Sequence, residues 1–264
     1  MAHRFFVPPE AVAGDVVTFD AGQARQLRSV LRLRVGAQVI VLDNSGFEYE
    51  TTLTELGRDA AAGRIDTRQP SVTEPRASLA LYQSPIKGER FEWVLQKGTE
   101  LGVCAFVPLL CQRTVLRDPG RIEKKRLRWE RIIREAAEQS GRGRLPRLAD
   151  PLSFADACRD AAACDLALIP WEGRRDAPST ESADGTNAVV VVASPCRDVL
   201  RARDDPPQSI ALLIGPEGGF EEEEIALARE YGIRPVTLGP RILRAETAAL
   251  AAATIVLSEL GEMA

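Results

Sequence analysis

Two turns near the C-terminus hold the residue types best suited to chemistry. They are Leu213-Ile214-Gly215-Pro216-Glu217-Gly218-Gly219-Phe220 and Leu238-Gly239-Pro240-Arg241-Ile242-Leu243-Arg244-Ala245-Glu246-Thr247. Each follows a short apolar run and precedes a helix-like stretch. Strand ends that open into loops leave backbone N–H and C=O groups free for a small ligand. Glycine lets the backbone come close to that ligand, and proline fixes the bend. Two such turns so near each other predict two walls of one pocket. The spacing is not the G-x-G-x-x-G of dinucleotide folds, and the chain has no G-x-x-x-x-G-K-[ST] phosphate loop. Glu221 to Glu224 suit the positive end of the helix that starts there, yet would repel a phosphate. A ligand with positive charge, or without phosphate, fits better. The single histidine, His3, lies at the N-terminus. A base in the C-terminal region is therefore a carboxylate, a backbone group or water, and a histidine triad or multi-histidine metal site is excluded.

At 264 residues the chain is long enough for a substantial core and two domains. Its formal net charge of −4 hides an asymmetry. Residues 1–112 carry 12 Lys/Arg against 13 Asp/Glu, residues 113–147 carry 12 against 5, and residues 148–264 carry 10 against 20. Charge is screened over about 10 Å at ordinary ionic strength, so a local excess can bind nucleic acid despite an acidic whole. The basic segment comprises Arg113, Arg117, Arg121, Lys124, Lys125, Arg126, Arg128, Arg131, Arg134, Arg142, Arg144 and Arg147. Arginine favours RNA, because a guanidinium pairs bidentately with phosphate and stacks on bases. The plainer reading is one solvated helix face. Five cysteines without a C-x-x-C pair argue against a disulfide framework or a zinc ribbon. The chain shows no bilayer-spanning apolar run, and Pro8, Pro9 and Glu10 interrupt any secretory segment. A cytoplasmic protein with reduced thiols, no metal and no membrane partner is expected.

The elements that must position these residues fall into two styles. Residues 1–70 read as short strands, Val16–Phe19, Gln38–Leu42, Tyr49–Leu53 and Arg64–Thr67, with a helix from Ala21 to Leu31. That helix carries Gln23, Gln26, Leu27, Val30 and Leu31 on one face and Arg25, Arg28 and Arg32 on another. Residues 71–76, with Pro70 and Pro75, read as a linker. From Leu79 strands and helices alternate: strands at Leu79–Gln83, Ala105–Cys111, Leu166–Pro170 and Ala188–Ala193, and helices at Glu89–Leu101, Pro119–Ser140 and Phe154–Cys164. Asp118 can cap the second of these helices, and Gly141 can end it. Ile122, Trp129, Ile132, Ile133 and Ala136 form its apolar stripe. The alternation predicts an α/β domain with a mostly parallel sheet covered on both faces. The Ala-rich terminal helix, Ala245–Leu260, allows close helix approach in a core or at a subunit interface.

The two turns, with His3-Arg4-Phe5-Phe6-Val7, Lys87-Gly88-Glu89-Arg90, Gln96-Lys97-Gly98-Thr99-Glu100-Leu101-Gly102 and Glu138-Gln139-Ser140-Gly141-Arg142, make a specific set in this order. It closely resembles methyltransferases of the SPOUT class and, within it, the ribosomal RNA small subunit methyltransferase E family. Departures are Glu221 in place of a small hydroxyl residue, Ala245 within a Leu-Arg-Thr-Glu-Thr-like run, and a longer polar stretch near Gly173 to Asn187. The resemblance implies a PUA-like, RNA-binding β-barrel over residues 1–70. It implies a SPOUT domain over residues 77–264, its C-terminal segment threaded as a trefoil knot that holds S-adenosylmethionine. The implied reaction is methylation of N3 of a uridine in 16S rRNA of the small ribosomal subunit, by a homodimer.

In that reading Leu213 to Gly219, with Leu238, Gly239, Pro240, Ile242, Leu243 and Thr247, bind the cofactor. Arg4, Arg25, Arg28, Arg32, Arg121, Lys124, Arg128, Gln139, Ser140 and Arg142 bind RNA. A uridine N3 must be exposed and deprotonated before it can accept a methyl group. Glu138 and Glu246 are both candidate proton acceptors, and Arg244 is placed to stabilise the developing anion. A ribose 2′-hydroxyl acceptor and a non-catalytic RNA-binding assembly factor are the alternatives; the intact turns weigh against the second.

Overall fold

A computed structural model describes residues 2–173 and 193–263. The chain divides into two compact units, Met1–Glu74 with Arg131–Pro146, and Pro75–Glu130 with Arg147–Ala264. The expected strand at Ala188–Ala193 and the polar stretch near 173–187 lie almost wholly outside the described residues.

In the first unit six strands form one sheet: β1 (His3–Phe6), β2 (Val12–Ala13), β3 (Val16–Phe19), β4 (Gln38–Leu42), β5 (Phe47–Leu56) and β6 (Ala61–Pro70). Their order is β1-β4-β5-β6-β3-β2, with β1 parallel to β4 and every other pairing antiparallel. Alternation in β3 and β4 turns Val17, Phe19, Val39 and Val41 inward. Phe5 and Phe19 meet edge to face there, with centroids 6.0 Å apart. The expected helix is shorter than its sequence pattern: α1 (Ala21–Arg25) passes into a π-type turn, Gln26–Val30. Asp20 starts it, accepting from Gln23 N at 2.8 Å. Leu27 is buried as expected, but Val30 is 70% exposed, because the wider turn rotates it off the packed face.

The second unit contains β7 (Ser78–Gln83), α2 (Arg90–Leu101), β8 (Ala105–Leu110), β9 (Arg147–Leu148), β10 (Leu152–Ser153), α4 (Phe154–Ala161), β11 (Leu166–Pro170), β12 (Ser194–Pro195), α5 (Cys196–Arg201), β13 (Ser209–Ile214), α6 (Glu222–Glu230), β14 (Arg234–Thr237) and α7 (Ala245–Glu259). Helix α3 (Pro119–Ser140) gives its residues to Glu130 to this unit and the rest to the first. The sheet order is β10-β8-β7-β13-β11-β14-β12, with β9 on β8, and every pairing among the described residues is parallel. Parallel strands are buried on both faces, which explains the unbroken apolar run Ile210 to Ile214. Leu213, Val107 and Ile169 pack with Phe154, Ala157 and Ile225 of α4 and α6. The intervening Leu79, Leu81 and Leu212 are also fully buried and point to the opposite face, where α7 lies against β7 and β13. Small residues Ala249, Ala252 and Ala253 let α7 pack closely with α2 and α5. Helix α4 ends at Ala161 rather than Cys164. The chain turns there to bring Asp165 under Gln208 and Ser209, whose N–H groups it accepts at 2.8 and 2.9 Å.

Candidate active site

Strand β13 releases at Ile214 into the first glycine turn, and β14 at Thr237 into the second. Gly219 and Gly239 take left-handed φ values of 72° and 114°, which explains glycine at both positions. Gly219 N closes the first turn on Pro216 O at 3.0 Å. Outside the turn, Arg113 donates to Gly218 O at 2.6 Å and pairs with both carboxylate oxygens of Glu221, at 2.6 and 2.7 Å. A Cβ on Gly218 would stand 3.2 Å from Arg113 Cδ, so that glycine also admits the arginine. The acidic helix start satisfies backbone donors: Glu224 accepts from Gln112 N at 2.8 Å and from Glu221 N at 2.9 Å.

Both turns line one cavity of about 330 Å³. Ile214, Gly215, Pro216, Glu217, Gly218 and Gly219 come from the first turn, and Ile242, Leu243, Arg244 and Glu246 from the second. Leu213 does not line it, because the alternation of β13 puts its side chain in the core. Leu238, Gly239, Pro240 and Thr247 are not among the lining residues either. Two charged residues that the site assignments omitted also line it. Glu172 follows β11, and Arg90, at the first position of α2, places its two amino groups 3.7 Å from Glu217 Oε1 and 3.8 Å from Glu246 Oε1. Lys87-Gly88-Glu89-Arg90 was already part of the resemblance, but no chemical signal in the sequence singles out Arg90. Arg244 is exposed and precedes α7 in an extended conformation. Glu246 is buried, and among the described residues its Oε2 has no hydrogen-bond partner.

The other candidate carboxylate lies in the first unit. Glu138 accepts from Phe6 N at 3.0 Å, and burial raises its carboxyl above the ordinary range. Together with Gln139, Ser140 and Arg4 it lines a separate cavity of about 760 Å³. Arg25, Arg28, Arg32, Arg121 and Lys124 are exposed, as an RNA surface requires. Arg128 is exposed but donates to Glu92 at 2.6 Å. Two of the assigned arginines are engaged in ion pairs within the first unit. Arg142 is 3% exposed and pairs with Glu74 at 2.7 Å, and Arg4 is largely buried in an ion pair with Glu48. Each ion pair offsets the cost of burying a cation. Among the described residues no cluster of His, Cys, Asp and Glu could hold a metal ion, and no helix is long and apolar enough to cross a membrane.

An all-parallel α/β unit with two glycine turns on one pocket, in a chain that also carries a separate unit built on a small mixed sheet, has the make-up of an RNA methyltransferase. A family model of the RNA methyltransferase domain matches residues 73–257, and one of the RNA methyltransferase PUA domain matches residues 20–66. The ribosomal RNA small subunit methyltransferase E of Synechocystis is 36% identical over 94% of this chain and 75% of its own length. That of Bacillus subtilis is 31% identical over 86% of this chain and 84% of its own. A solved structure of ribosomal RNA small subunit methyltransferase E from Neisseria gonorrhoeae, bound to S-adenosyl methionine, superposes with a TM-score of 0.82 at 30% identity, covering 98% of each chain. This chain belongs to the ribosomal RNA small subunit methyltransferase E family.

Proposed function

We propose that this chain transfers the methyl group of S-adenosylmethionine to N3 of a uridine in the 16S rRNA of the small ribosomal subunit. The observation that carries this reading is the convergence of both glycine turns, Arg244 and Glu246 on one pocket in a chain of this family. The pocket suits the cofactor. Ile214, Ile242 and Leu243 offer apolar walls to an adenine ring, and the turn backbone can read its edge. Glu172, Glu217 and Glu246 bring negative charge toward a cation. When bound, S-adenosylmethionine supplies a methyl group on a positively charged sulfur. Glu246, the candidate carboxylate that lines this pocket, takes the N3 proton, and Arg244 stabilises the charge that remains. Leu213, Leu238, Gly239, Pro240 and Thr247 belong to the same two turns and complete the cofactor site in this reading. Exposed Arg25, Arg28, Arg32, Arg121 and Lys124 supply RNA affinity, with Gln139 and Ser140 at the end of α3. In this reading residues 1–70 form the RNA-binding barrel, residues 71–76 the linker and residues 77–264 the catalytic domain. The C-terminal knot holds the cofactor, and the enzyme works in the cytoplasm as a homodimer.

The test is nucleoside mapping by mass spectrometry on small-subunit RNA from cells lacking the protein, treated with protein and isotopically labelled S-adenosylmethionine. Label in 3-methyluridine is the expected result. Label in a 2′-O-methyl nucleoside, or no label, overturns the reading. The same assay on Glu246→Gln and Glu138→Gln assigns the proton acceptor.

A further inference from the structure

Arg90 touches both walls of the pocket while belonging to neither. One amino group faces Glu217 of the first turn at 3.7 Å, and the other faces Glu246 of α7 at 3.8 Å. Its place is fixed locally: Arg90 Nε donates to Lys87 O at 3.3 Å, and Lys87 N donates to the same Glu217 oxygen at 2.9 Å. Each carboxylate therefore meets Arg90 through its Oε1. Among the described residues the buried Oε2 of Glu246 has no hydrogen-bond partner, on a residue 9% exposed that lines the pocket. A buried carboxylate oxygen without a donor is costly, so the pairing at Oε1 is what holds the Glu246 side chain in place. Without Arg90, Glu217 and Glu246 would lose the one cation that pairs with both of them among the described residues.

We propose that Arg90 is a positioning residue that holds Glu246 by its Oε1 edge, in the orientation from which the carboxylate takes the substrate proton. Through Glu217 the same guanidinium ties the first glycine turn to the second. The proposal rests on the reading of Glu246 as proton acceptor. Lysine cannot substitute, because a single ammonium lacks the planar fork that serves two carboxylates at once.

The experiment is a pair of double-mutant cycles on the full chain. Single-turnover methylation is measured at saturating RNA and S-adenosylmethionine, cofactor affinity by calorimetry, and folding by circular dichroism. Arg90→Ala is expected to slow methylation by about 10- to 100-fold, the scale of an angstrom-level misplacement of a reacting group. In a Glu246→Gln background the same change should cost less than about 3-fold, since coupled residues are not additive. Arg90→Ala should weaken cofactor binding by about 10-fold, and by less in a Glu217→Gln background. Arg90→Lys should leave one of the two couplings lost. Equal factors for Arg90→Ala in every background overturn the proposal, as does Arg90→Lys at wild-type rate and affinity. Where Glu246→Gln has no measurable rate, the Arg90–Glu246 coupling is read on cofactor affinity. Wild-type methylation by Glu246→Gln sinks the acceptor reading instead, and the Arg90–Glu217 cycle still decides the tie between the walls.

Discussion

Replacing Gly215 by Ala tests how tightly the first turn is built. Gly215 is absent from the left-handed glycines, so alanine meets no backbone penalty there, and only space decides. A Cβ at this position would stand 3.1, 3.2 and 3.3 Å from Cε2, Cδ2 and Cζ of Phe220. Carbon atoms sit best at about 3.5–4.0 Å, so the ring must retreat by a few tenths of an ångström. It has little room to do so. Phe220 is 7% exposed and packs against Phe154 with centroids 5.6 Å apart, within the core that includes Ile225 and Leu213. Overpacking of this kind costs about 1–3 kcal/mol, equivalent to about 5- to 150-fold in an equilibrium constant. Gly215 and Phe220 both line the pocket, so strain not paid in stability must deform the binding site. Urea denaturation and cofactor calorimetry on Gly215→Ala, Phe220→Leu and the double variant separate the two routes. Each single variant should lose stability or affinity, while the double variant should lose at least about 1 kcal/mol less than their sum. Additive losses, or a Gly215→Ala variant that matches wild type in both measurements, would refute the packing argument.

Arg244→Ala should lower the single-turnover rate by about 10²–10³-fold with little change in RNA affinity, because the charge it meets develops only in the transition state; an unchanged rate makes the residue structural. Reversing Arg121 and Lys124 to Glu should weaken RNA binding and flatten its salt dependence by about 0.7–0.9 in log–log slope per lost phosphate contact. An equal slope for variant and wild type counts against an RNA face there. Burial raises the carboxyl of Glu138, so its ionisation opposes folding above the folded value and has no effect below the unfolded one. Glu138→Gln, which can still accept from Phe6 N, should therefore be more stable than wild type at pH 7, with the gain closing as the pH falls through the carboxylate range. Denaturation midpoints at the two ends of that range check the sign.

Strands β3, β4 and β11 have the bounds that their apolar patterns give, because alternation or an unbroken apolar run directly reports burial. Short elements were not legible. Strands β9, β10 and β12 span two residues each, too few for any period, and exist only because a neighbouring strand supplies hydrogen bonds. The π-type turn at Gln26–Val30 also escaped, since the side-chain pattern there continues a helical period. The composition of the pocket was readable because glycine, proline and charged residues at strand ends have few other uses. Arg90 was not. Its role depends on where α2 begins relative to two turns more than a hundred residues away, which no local pattern encodes.

Charge composed along the sequence reports less than it suggests, for a similar reason. The segment 113–147 reads as one cationic block, but its cations divide among different partners. Arg142 closes on Glu74, Arg126 on Asp150 and the Leu148 carbonyl, Arg128 on Glu92, and Arg113 on Glu221 and Gly218. A guanidinium has five donors in a fixed plane, so it can staple loops as readily as it can grip a phosphate. Counting arginines cannot separate the two uses; burial and partner can. Arg121 and Lys124 remain exposed on α3, and Arg25, Arg28 and Arg32 on the first unit. If the RNA surface consists of these exposed cations, its salt slope will follow their number and not the twelve of the basic segment.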